Sequence, residues 1–224
     1  MTTKHETSTS RPLKTSTLVV LAMVGFVVIS TLDRSIWQSI TIPKEDLPRL
    51  TSKDWYQVMR QVGYLPTWLI VSGVIALVAR HAQRRDWWMN AAMIAVGAAA
   101  SGAIAEILKV VVMRHRPGED GVYRFAWLLE NFDKGPGFGM PSSHAAVAFG
   151  GAFAVSYLYR GTCWIMMPLA VGCGLSRMLA GAHFASDVYV AAMIGWAVSK
   201  LMLGRRERGR RLSTHTVKAV DAND

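Results

Sequence analysis

Long runs of apolar residues, separated by short polar segments, make up most of the chain. Three runs without a charged residue approach the roughly 20 residues that a helix needs to cross a hydrocarbon core, and they lie at residues 15–32, 62–79 and 87–105. Three further runs have less sharp edges and lie at about residues 143–159, 161–178 and 184–203. Backbone groups that face lipid must pair within their own segment, and these runs lack the short alternation of barrel strands. The pattern therefore predicts an all-α protein, a six-transmembrane-helix bundle.

Polar ends divide the chain into three parts. Residues 1–14 form a polar N-terminal tail, residues 15–204 the six-span domain, and residues 205–224 a basic tail. We expect both tails to be disordered, because they hold few residues that can be buried. The first apolar run follows basic residues, as in a secretory signal, but no small-x-small cleavage pattern comes after it. We therefore expect a retained membrane anchor.

Composition and charge narrow the class of protein. Half of the residues are apolar (51%), which is too many for an ordinary soluble domain. A net charge of +10 is compatible with nucleic-acid binding, but the basic residues lie beside alternate ends of the apolar runs, which argues against it. These basic residues are Arg11, Lys14, Arg80, Arg84, Arg85, Arg160 and the arginines from 205 to 211. The positive-inside rule makes that side cytoplasmic. We therefore expect a multi-pass inner (plasma) membrane protein with both termini in the cytoplasm, membrane lipids around it and no nucleic-acid partner.

Ionisable groups at membrane depth are costly and usually functional, and they occur here in three clusters. The first holds Lys109, Arg116 and Pro117. Seven residues are about two helical turns, so we expect both cations on one helix face, with the proline ending the helix and Glu106 as a partner for Lys109. Two cations on one face favour the binding of an anion. The alternative interpretation is that both side chains only extend toward the lipid headgroups.

The second cluster, Pro141-Ser142-Ser143-His144, comes directly before the fourth run. A helix that starts here presents unpaired backbone N–H groups, which bind phosphate-like anions. Ser142 would add a hydroxyl and Ser143 a backbone N–H, while His144 in the first turn is placed to give or take a proton. A plain N-cap followed by an interfacial histidine is the competing interpretation.

The third cluster contains Arg177, His183 and Asp187. A histidine and a carboxylate four residues apart share a helix face, so Asp187 can hold one ring nitrogen of His183 and leave the other free as a nucleophile. A salt bridge at a helix start is the alternative role for Asp187. The predicted topology places all three clusters at the outer membrane face, where we expect the active site.

Together the clusters resemble the signature of the type 2 phosphatidic acid phosphatase (PAP2) superfamily, and in particular its bacterial membrane lipid phosphatases. That signature is K-x6-R-P, P-S-G-H and S-R-x5-H-x3-D. The chain has Lys109-x6-Arg116-Pro117, Pro141-Ser142-Ser143-His144 and Ser176-Arg177-x5-His183-x3-Asp187, all within residues 109–187. Ser143 replaces the usual glycine, so its added bulk bears on how a phosphate would sit.

The resemblance implies a metal-independent phosphatase that acts on a lipid through a phosphohistidine. His183 would attack phosphorus, Asp187 would orient it, and His144 would protonate the leaving oxygen and then activate water. The phosphate would be bound by Lys109, Arg116, Ser142, Ser143 and Arg177. No metal and no cofactor are expected, and the sequence has no zinc-binding spacing or P-loop. The family's substrates include phosphatidic acid, phosphatidylglycerol phosphate, undecaprenyl pyrophosphate and lipid A phosphates, and the sequence does not choose among them.

Two other functions stay open from the sequence. Vanadate-dependent haloperoxidases share the same anion cradle, and a lipid-phosphate binding or transport protein would use the cradle without chemistry. Residues 118–140 are expected to shape the entrance, with Arg114, Tyr123, Arg124, Trp127 and Lys134 as interfacial residues. Residues 43–61 are expected to form an interfacial helix. The oligomeric state is left open.

Overall fold

Eight helices form the described part of the protein in the computed structural model, which describes residues 15–126 and 137–220. They are α1 (Thr15–Ile40), α2 (Leu47–Thr51), α3 (Asp54–Gln61), α4 (Leu65–His81), α5 (Trp87–Val112), α6 (Ser143–Leu158), α7 (Cys163–Leu179) and α8 (Ala185–Val220). Within those residues there is no named strand, only two isolated bridges in the segments that flank α5 and α6. The predicted all-α class is confirmed.

Helix α6 lies at the centre of the bundle and is contacted by α5, α7 and α8. Its small residues allow this close packing: a Cβ atom on Gly150 would lie 2.5 Å from the backbone oxygen of Gly97 on α5. On the α8 side, a Cβ on Gly195 would lie 2.7 Å from the Gly150 nitrogen. Larger side chains at these contacts would push the helices apart, as expected for packing inside a membrane.

The predicted number of six spans is corrected by the structure. Among the described residues, three helices are long and apolar enough to cross a membrane, at Ser16–Ile40, Trp87–Val112 and Ala185–Gly204. A fourth span is reached if α3 and α4, which meet at 73°, form one broken span. Helices α6 and α7 are apolar but have only 16 and 17 residues. At the α-helical rise they are about 24 to 26 Å long, short of a hydrocarbon core of about 30 Å.

The predicted end of α5 also changes. Helix α5 stops at Val112, because Met113 adopts a left-handed conformation at the C-cap, φ 50°. Arg114 and His115 continue as extended backbone that pairs with Phe125 and Phe138. Lys109 and Arg116 therefore do not share a helix face, and Pro117 does not end the helix.

The tails and the segment before α4 were also predicted differently. Helix α8 continues to Val220, so the segment from 205 to 220 is helical rather than disordered; residues 1–14 lie outside the described residues. Residues 43–61 form two short helices, α2 and α3, instead of one interfacial helix, and α3 packs against α7.

Candidate active site

All three sequence clusters meet at one end of the bundle, where α5 and α7 end and α6 and α8 begin. The backbone N–H of Ser142 donates to the carbonyl of Asp187 (3.3 Å), which joins the second cluster to the third. Lys109 Nζ donates to Ser143 Oγ in a short hydrogen bond, which joins the first cluster to the second. The arginines between Arg80 and Arg85 and Arg160 lie at the opposite end, beside the ends of α4 and α6.

Lys109 is held by two side chains. Its ammonium donates to Glu106 Oε1 (2.8 Å), as the sequence predicts, and to Ser143 Oγ, while the Ser143 hydroxyl donates to the same Glu106 carboxylate. The residue that replaces the usual glycine thus ties α6 to α5. Its backbone N–H remains at the first helical position of α6, where N–H groups have no partner within the helix.

Ser142 is the N-cap residue of α6, but it makes no side-chain capping bond. Its Oγ is fully buried and has no hydrogen-bond partner among the described residues. A buried hydroxyl without a partner is costly, and this one lies at a helix N-terminus. The N-cap interpretation leaves this buried hydroxyl unexplained, whereas an anion bound at the helix start would accept a hydrogen bond from it.

Arg116 and Arg177 supply two further cations. Arg116 lies on the extended segment after α5, and Arg177 lies in the last turn of α7; both side chains are partly buried. The Nε atom of each is buried without a hydrogen-bond partner within the described residues. The positive charges of both act on His183. Orphaned guanidinium N–H groups around one point suit a tetrahedral oxyanion.

His183 lies in the loop between α7 and α8, two residues before α8 begins, and not on the helix as its spacing to Asp187 predicts. It is 2% exposed, and its Nδ1 lies 3.4 Å from Asp187 Oδ2, a long contact for a hydrogen bond. Burial lowers the pKa of His183, against the opposing influence of the Asp187 carboxylate. The imidazole is therefore kept neutral, as a nucleophile must be.

His144 lies in the first turn of α6, where the sequence predicts it. The edge of its ring meets the ring of Tyr64, with centroids 4.9 Å apart and an interplanar angle of 83°. Gly63 packs on the backbone of His144 so closely that a Cβ atom there would lie 2.9 Å from the histidine Cβ. The bend between α3 and α4 is therefore part of the wall of the site.

Two buried charged residues behind His183, Asp33 and Arg114, were not assigned to the site from the sequence. Arg114 is 3% exposed and forms a short hydrogen bond to Asp187 as well as a 2.8 Å bond to Ser186 Oγ. Asp33 of α1 is fully buried and accepts from the backbone N–H of Ser186 (2.8 Å) and from Tyr123 Oη (2.6 Å). We call these five side chains, Asp33, Arg114, Tyr123, Ser186 and Asp187, the buried polar network.

The network corrects the prediction that Arg114 is an interfacial residue, because Arg114 is buried. Tyr123 is 37% exposed and joins the network through its hydroxyl, so its prediction as an interfacial residue stands. The guanidinium of Arg114 lies 4.8 Å from the centroid of the Tyr123 ring. Burial raises the pKa of Tyr123 to about 12, and its hydrogen bond to Asp33 adds to this, so the phenol stays a donor. Arg124 instead pairs with Asp120 at the surface (2.7 Å). Trp127 and Lys134 lie outside the described residues.

A signal for the network was present in the sequence. Asp33 directly follows an apolar run long enough to span, and an acid at the end of such a run is a candidate for burial with a basic partner. Among the described residues, no three His, Cys, Asp or Glu side chains come together as a metal site. The donor set of the site is instead cationic.

A cavity of about 480 Å³ adjoins the site. It lies between the C-terminal end of α1, the segment after Arg116 and the turn before His183, and its lining includes Trp37, Ile42, Pro117 and Gly181. The lining is mostly apolar, so the space beside the charged groups suits the apolar part of an amphiphile.

Comparisons with known proteins agree with this geometry. The family model of the PAP2 superfamily matches residues 90–210, more than half of the chain. The chain is 31% identical over 151 residues to the decaprenylphosphoryl-5-phosphoribose phosphatase of two Mycobacterium tuberculosis strains, CDC 1551 / Oshkosh and H37Rv, and the match covers 64% of this chain and 76% of theirs.

Two solved structures share the fold. The first transmembrane PAP2 type phosphatidylglycerolphosphate phosphatase from Bacillus subtilis is similar with a TM-score of 0.58 and 20% identity, over 86% of this chain and 96% of that chain. Aquifex aeolicus LpxE gives a TM-score of 0.52 and 22% identity, over 79% of this chain and 95% of its own.

Proposed function

Because the chain belongs to the PAP2 superfamily and is a phosphatase of the membrane, we propose that it hydrolyses a phosphomonoester or diphosphate on a lipid without a metal. The observation that carries this proposal is a buried histidine, His183, beside two arginines whose Nε groups have no partner in the described structure. Hydrolysis also accounts for a second histidine at the same place, which neither binding nor transport of a lipid phosphate requires.

In the proposed first step, the free ring nitrogen of His183 attacks phosphorus and the bond to the leaving oxygen breaks. Protonated His144 gives its proton to that oxygen, so the lipid alcohol or lipid phosphate leaves. Asp187 balances the positive charge that develops on His183. The cations Lys109, Arg116 and Arg177, with Ser142 and the N–H of Ser143, neutralise the phosphoryl oxygens.

In the second step, neutral His144 takes a proton from water as the water oxygen attacks phosphorus. The phosphorus–nitrogen bond breaks, inorganic phosphate leaves, and His183 returns to its neutral form. His144 is protonated again, so the cycle closes. The cations stay in place throughout, and no step needs an oxidant or any co-substrate other than water.

A lipid substrate is supported by the position of the site. It lies at the ends of apolar helices, and the adjoining apolar cavity gives room for part of a lipid while the phosphate enters the cationic site. The relatives' names give a decaprenylphosphoryl sugar phosphate and phosphatidylglycerolphosphate as substrates, and both are lipid phosphates. We propose the same class for this chain.

The orientation we propose is the one that the charge pattern predicts, with the active site facing the periplasm or exterior of an inner (plasma) membrane. Arg80, Arg84, Arg85 and Arg160 lie at the end of the bundle opposite the site. The positive-inside rule places that end, and both termini, in the cytoplasm.

Phosphate release from a panel of lipid phosphates in the presence of a chelator tests the proposal. We expect turnover to survive the chelator and His183→Ala to reduce kcat by about a thousandfold or more. With ³²P-labelled substrate, the wild type should give an acid-labile, base-stable phosphoprotein, which is absent in His183→Ala. Loss of turnover on adding the chelator alone would refute the metal-independent mechanism.

A further inference from the structure

Helix α3 brings to the site residues that lie outside the three-part signature. The bend between α3 and α4 seats Gly63 against His144, and on the α7 side Met59 fills the space at Gly172, where a Cβ atom would lie 2.3 Å from the Met59 sulfur. Tyr56 is buried (2% exposed) in the same helix. These contacts fix α3 beside both His144 and α7.

Arg60 lies in the last turn of α3, on the side of His144. Its guanidinium carbon is 5.7 Å from the centroid of the Tyr64 ring, and that ring meets the edge of His144. Its positive charge acts on His144 and also on Arg177. Arg60 is therefore a fourth cation near the site, after Lys109, Arg116 and Arg177.

No carboxylate in the described residues forms an ion pair with Arg60, and its Nε is buried without a hydrogen-bond partner. Other bases nearby do have acidic partners: Lys109 has Glu106, and Arg114 has Asp187. A partly buried guanidinium close to other cations is unfavourable unless an anion joins it. The guanidinium of Arg60 therefore suits a negatively charged group of a ligand.

The direction of Arg60 indicates which group that is. Arg116 and Arg177, which have no ion pair among the described residues, already match the two charges of a phosphoryl dianion, and Lys109, paired with Glu106, adds a further donor. Arg60 approaches from the side of His144, and His144 serves the leaving oxygen in the mechanism proposed above. A cation on that side faces the leaving group.

We infer that Arg60 binds a second anionic phosphate of the substrate, on the leaving-group side of the phosphoryl group that is removed. This inference rests on the proposed function. The substrate class it selects is a lipid with two phosphate centres, either a diphosphate or a phosphomonoester whose lipid also contains a phosphodiester. A lipid with one phosphate leaves Arg60 without a partner.

Matched substrate pairs test this inference in the full-length protein. One pair is farnesyl diphosphate and farnesyl monophosphate; the other is phosphatidylglycerol phosphate and phosphatidic acid with the same acyl chains. For Arg60→Gln we expect kcat/KM to fall about 10- to 100-fold on the member with two phosphates and less than about threefold on its partner. Arg60→Lys should keep part of the preference for the member with two phosphates. Arg49 is an exposed base on α2, and Arg49→Gln should leave kcat/KM unchanged on both members of each pair.

The two pairs separate the possible sources of the second phosphate. A loss with the diphosphate alone supports the inference and assigns a diphosphate, and a loss with phosphatidylglycerol phosphate alone supports it and assigns a phosphodiester. An equal loss on both members of both pairs would show that Arg60 serves the transferred phosphoryl group, and no loss on any would show that it binds no substrate phosphate. Either result overturns the inference.

Binding of inorganic ions keeps the two proposals apart. If the wild-type protein turned over none of these lipids, the proposed function would fail, but Arg60 would still be testable by calorimetry with inorganic pyrophosphate and orthophosphate. The inference then requires Arg60→Gln to weaken pyrophosphate binding by about tenfold or more while leaving orthophosphate binding within about threefold. Equal weakening of both ions would contradict it.

Discussion

The protonation of the His183 and Asp187 pair can be tested through the pH dependence of kcat/KM. Burial lowers the pKa of His183 below its ordinary 6.5, and the Asp187 carboxylate raises it part of the way back. The proposed mechanism needs neutral His183, so kcat/KM should fall on the acidic side as the pH drops through this lowered pKa. The acidic limb of the wild-type profile is therefore expected below pH 6.5. The need for protonated His144 in the first step gives a separate fall on the alkaline side.

Asp187→Asn removes the carboxylate charge that favours the protonated imidazole. The pKa of His183 should fall further, so we expect the acidic limb of kcat/KM to move to lower pH while the maximum falls by about 100-fold or more, since the ring loses its orienting partner. Measuring kcat/KM from pH 4 to pH 8 for both proteins checks this. A limb that moves to higher pH would show that another group controls it.

Ser143 illustrates how a departure from a signature is accommodated. The signature assigns this position a backbone N–H contact, which any residue can offer, and the helix start still presents that N–H. The added hydroxyl donates to Glu106 and accepts from Lys109, so it joins α6 to the proposed phosphate-binding lysine. The sequence alone does not reveal where the hydroxyl of Ser143 goes, because its partners Lys109 and Glu106 lie 34 and 37 positions away.

Helices α1 and α8 are joined by the buried polar network, which holds the start of α8 where His183 and Asp187 lie. Asp33→Ala would leave Arg114 with one buried carboxylate instead of two and would free the N–H of Ser186. We expect it to lower the free energy of unfolding by about 3 to 5 kcal/mol. We also expect kcat to fall with little change in KM, because every proposed phosphate ligand stays in place.

Thermal unfolding in detergent and steady-state kinetics measure the two effects. Asp33→Asn keeps an acceptor for the N–H of Ser186, so it should restore part of the stability and part of kcat. Asp46→Asn, at an exposed acid just before α2, should change neither the stability nor kcat. An Asp33→Ala protein with lowered stability but wild-type kcat would show that the network supports the fold without positioning the histidine.

Elements that depend on local pattern were predictable, and those that depend on distant partners were not. The six apolar runs each contain a helix, since apolar residues without charge can only span or be buried. Helix α1 extends beyond its run because Asp33, which breaks the run, is neutralised by Arg114 far along the chain. The early end of α5 was missed because the pairing of Arg114 with Phe125 competes with the helix, and apolar composition carries no sign of it.

For a related reason, the sequence identifies the signature residues more readily than the residues around them. The signature residues converge because the antiparallel order of α5, α6, α7 and α8 brings the end or start of each to one face. Arg60 carries no motif, and only the 73° bend between α3 and α4 brings it to His144. Bends of this kind come from close packing, here at Gly63, and not from the hydrophobic pattern.

The placement of the bundle in the membrane follows from its two unlike ends. The loop after α1, with Glu45, lies at the site end, since the N–H of Ile42 donates to the carbonyl of Leu179 at the end of α7 (2.9 Å). His81 lies at the other end, beside the arginines that the positive-inside rule assigns to the cytoplasm. Both positions are exposed and suit labelling.

In a background with Cys163 and Cys173 replaced by alanine, we expect Glu45→Cys to react with a membrane-impermeant maleimide in intact cells and His81→Cys to react only after permeabilisation. Activity toward an added lipid phosphate should be retained in both, because neither residue contacts the site. In the proposed orientation Arg80, Arg84 and Arg85 lie in the cytoplasm and favour that side electrostatically, so changing them to glutamine should increase labelling of the His81→Cys protein in intact cells. Labelling of His81→Cys alone in the unaltered background would mean that the active site faces the cytoplasm.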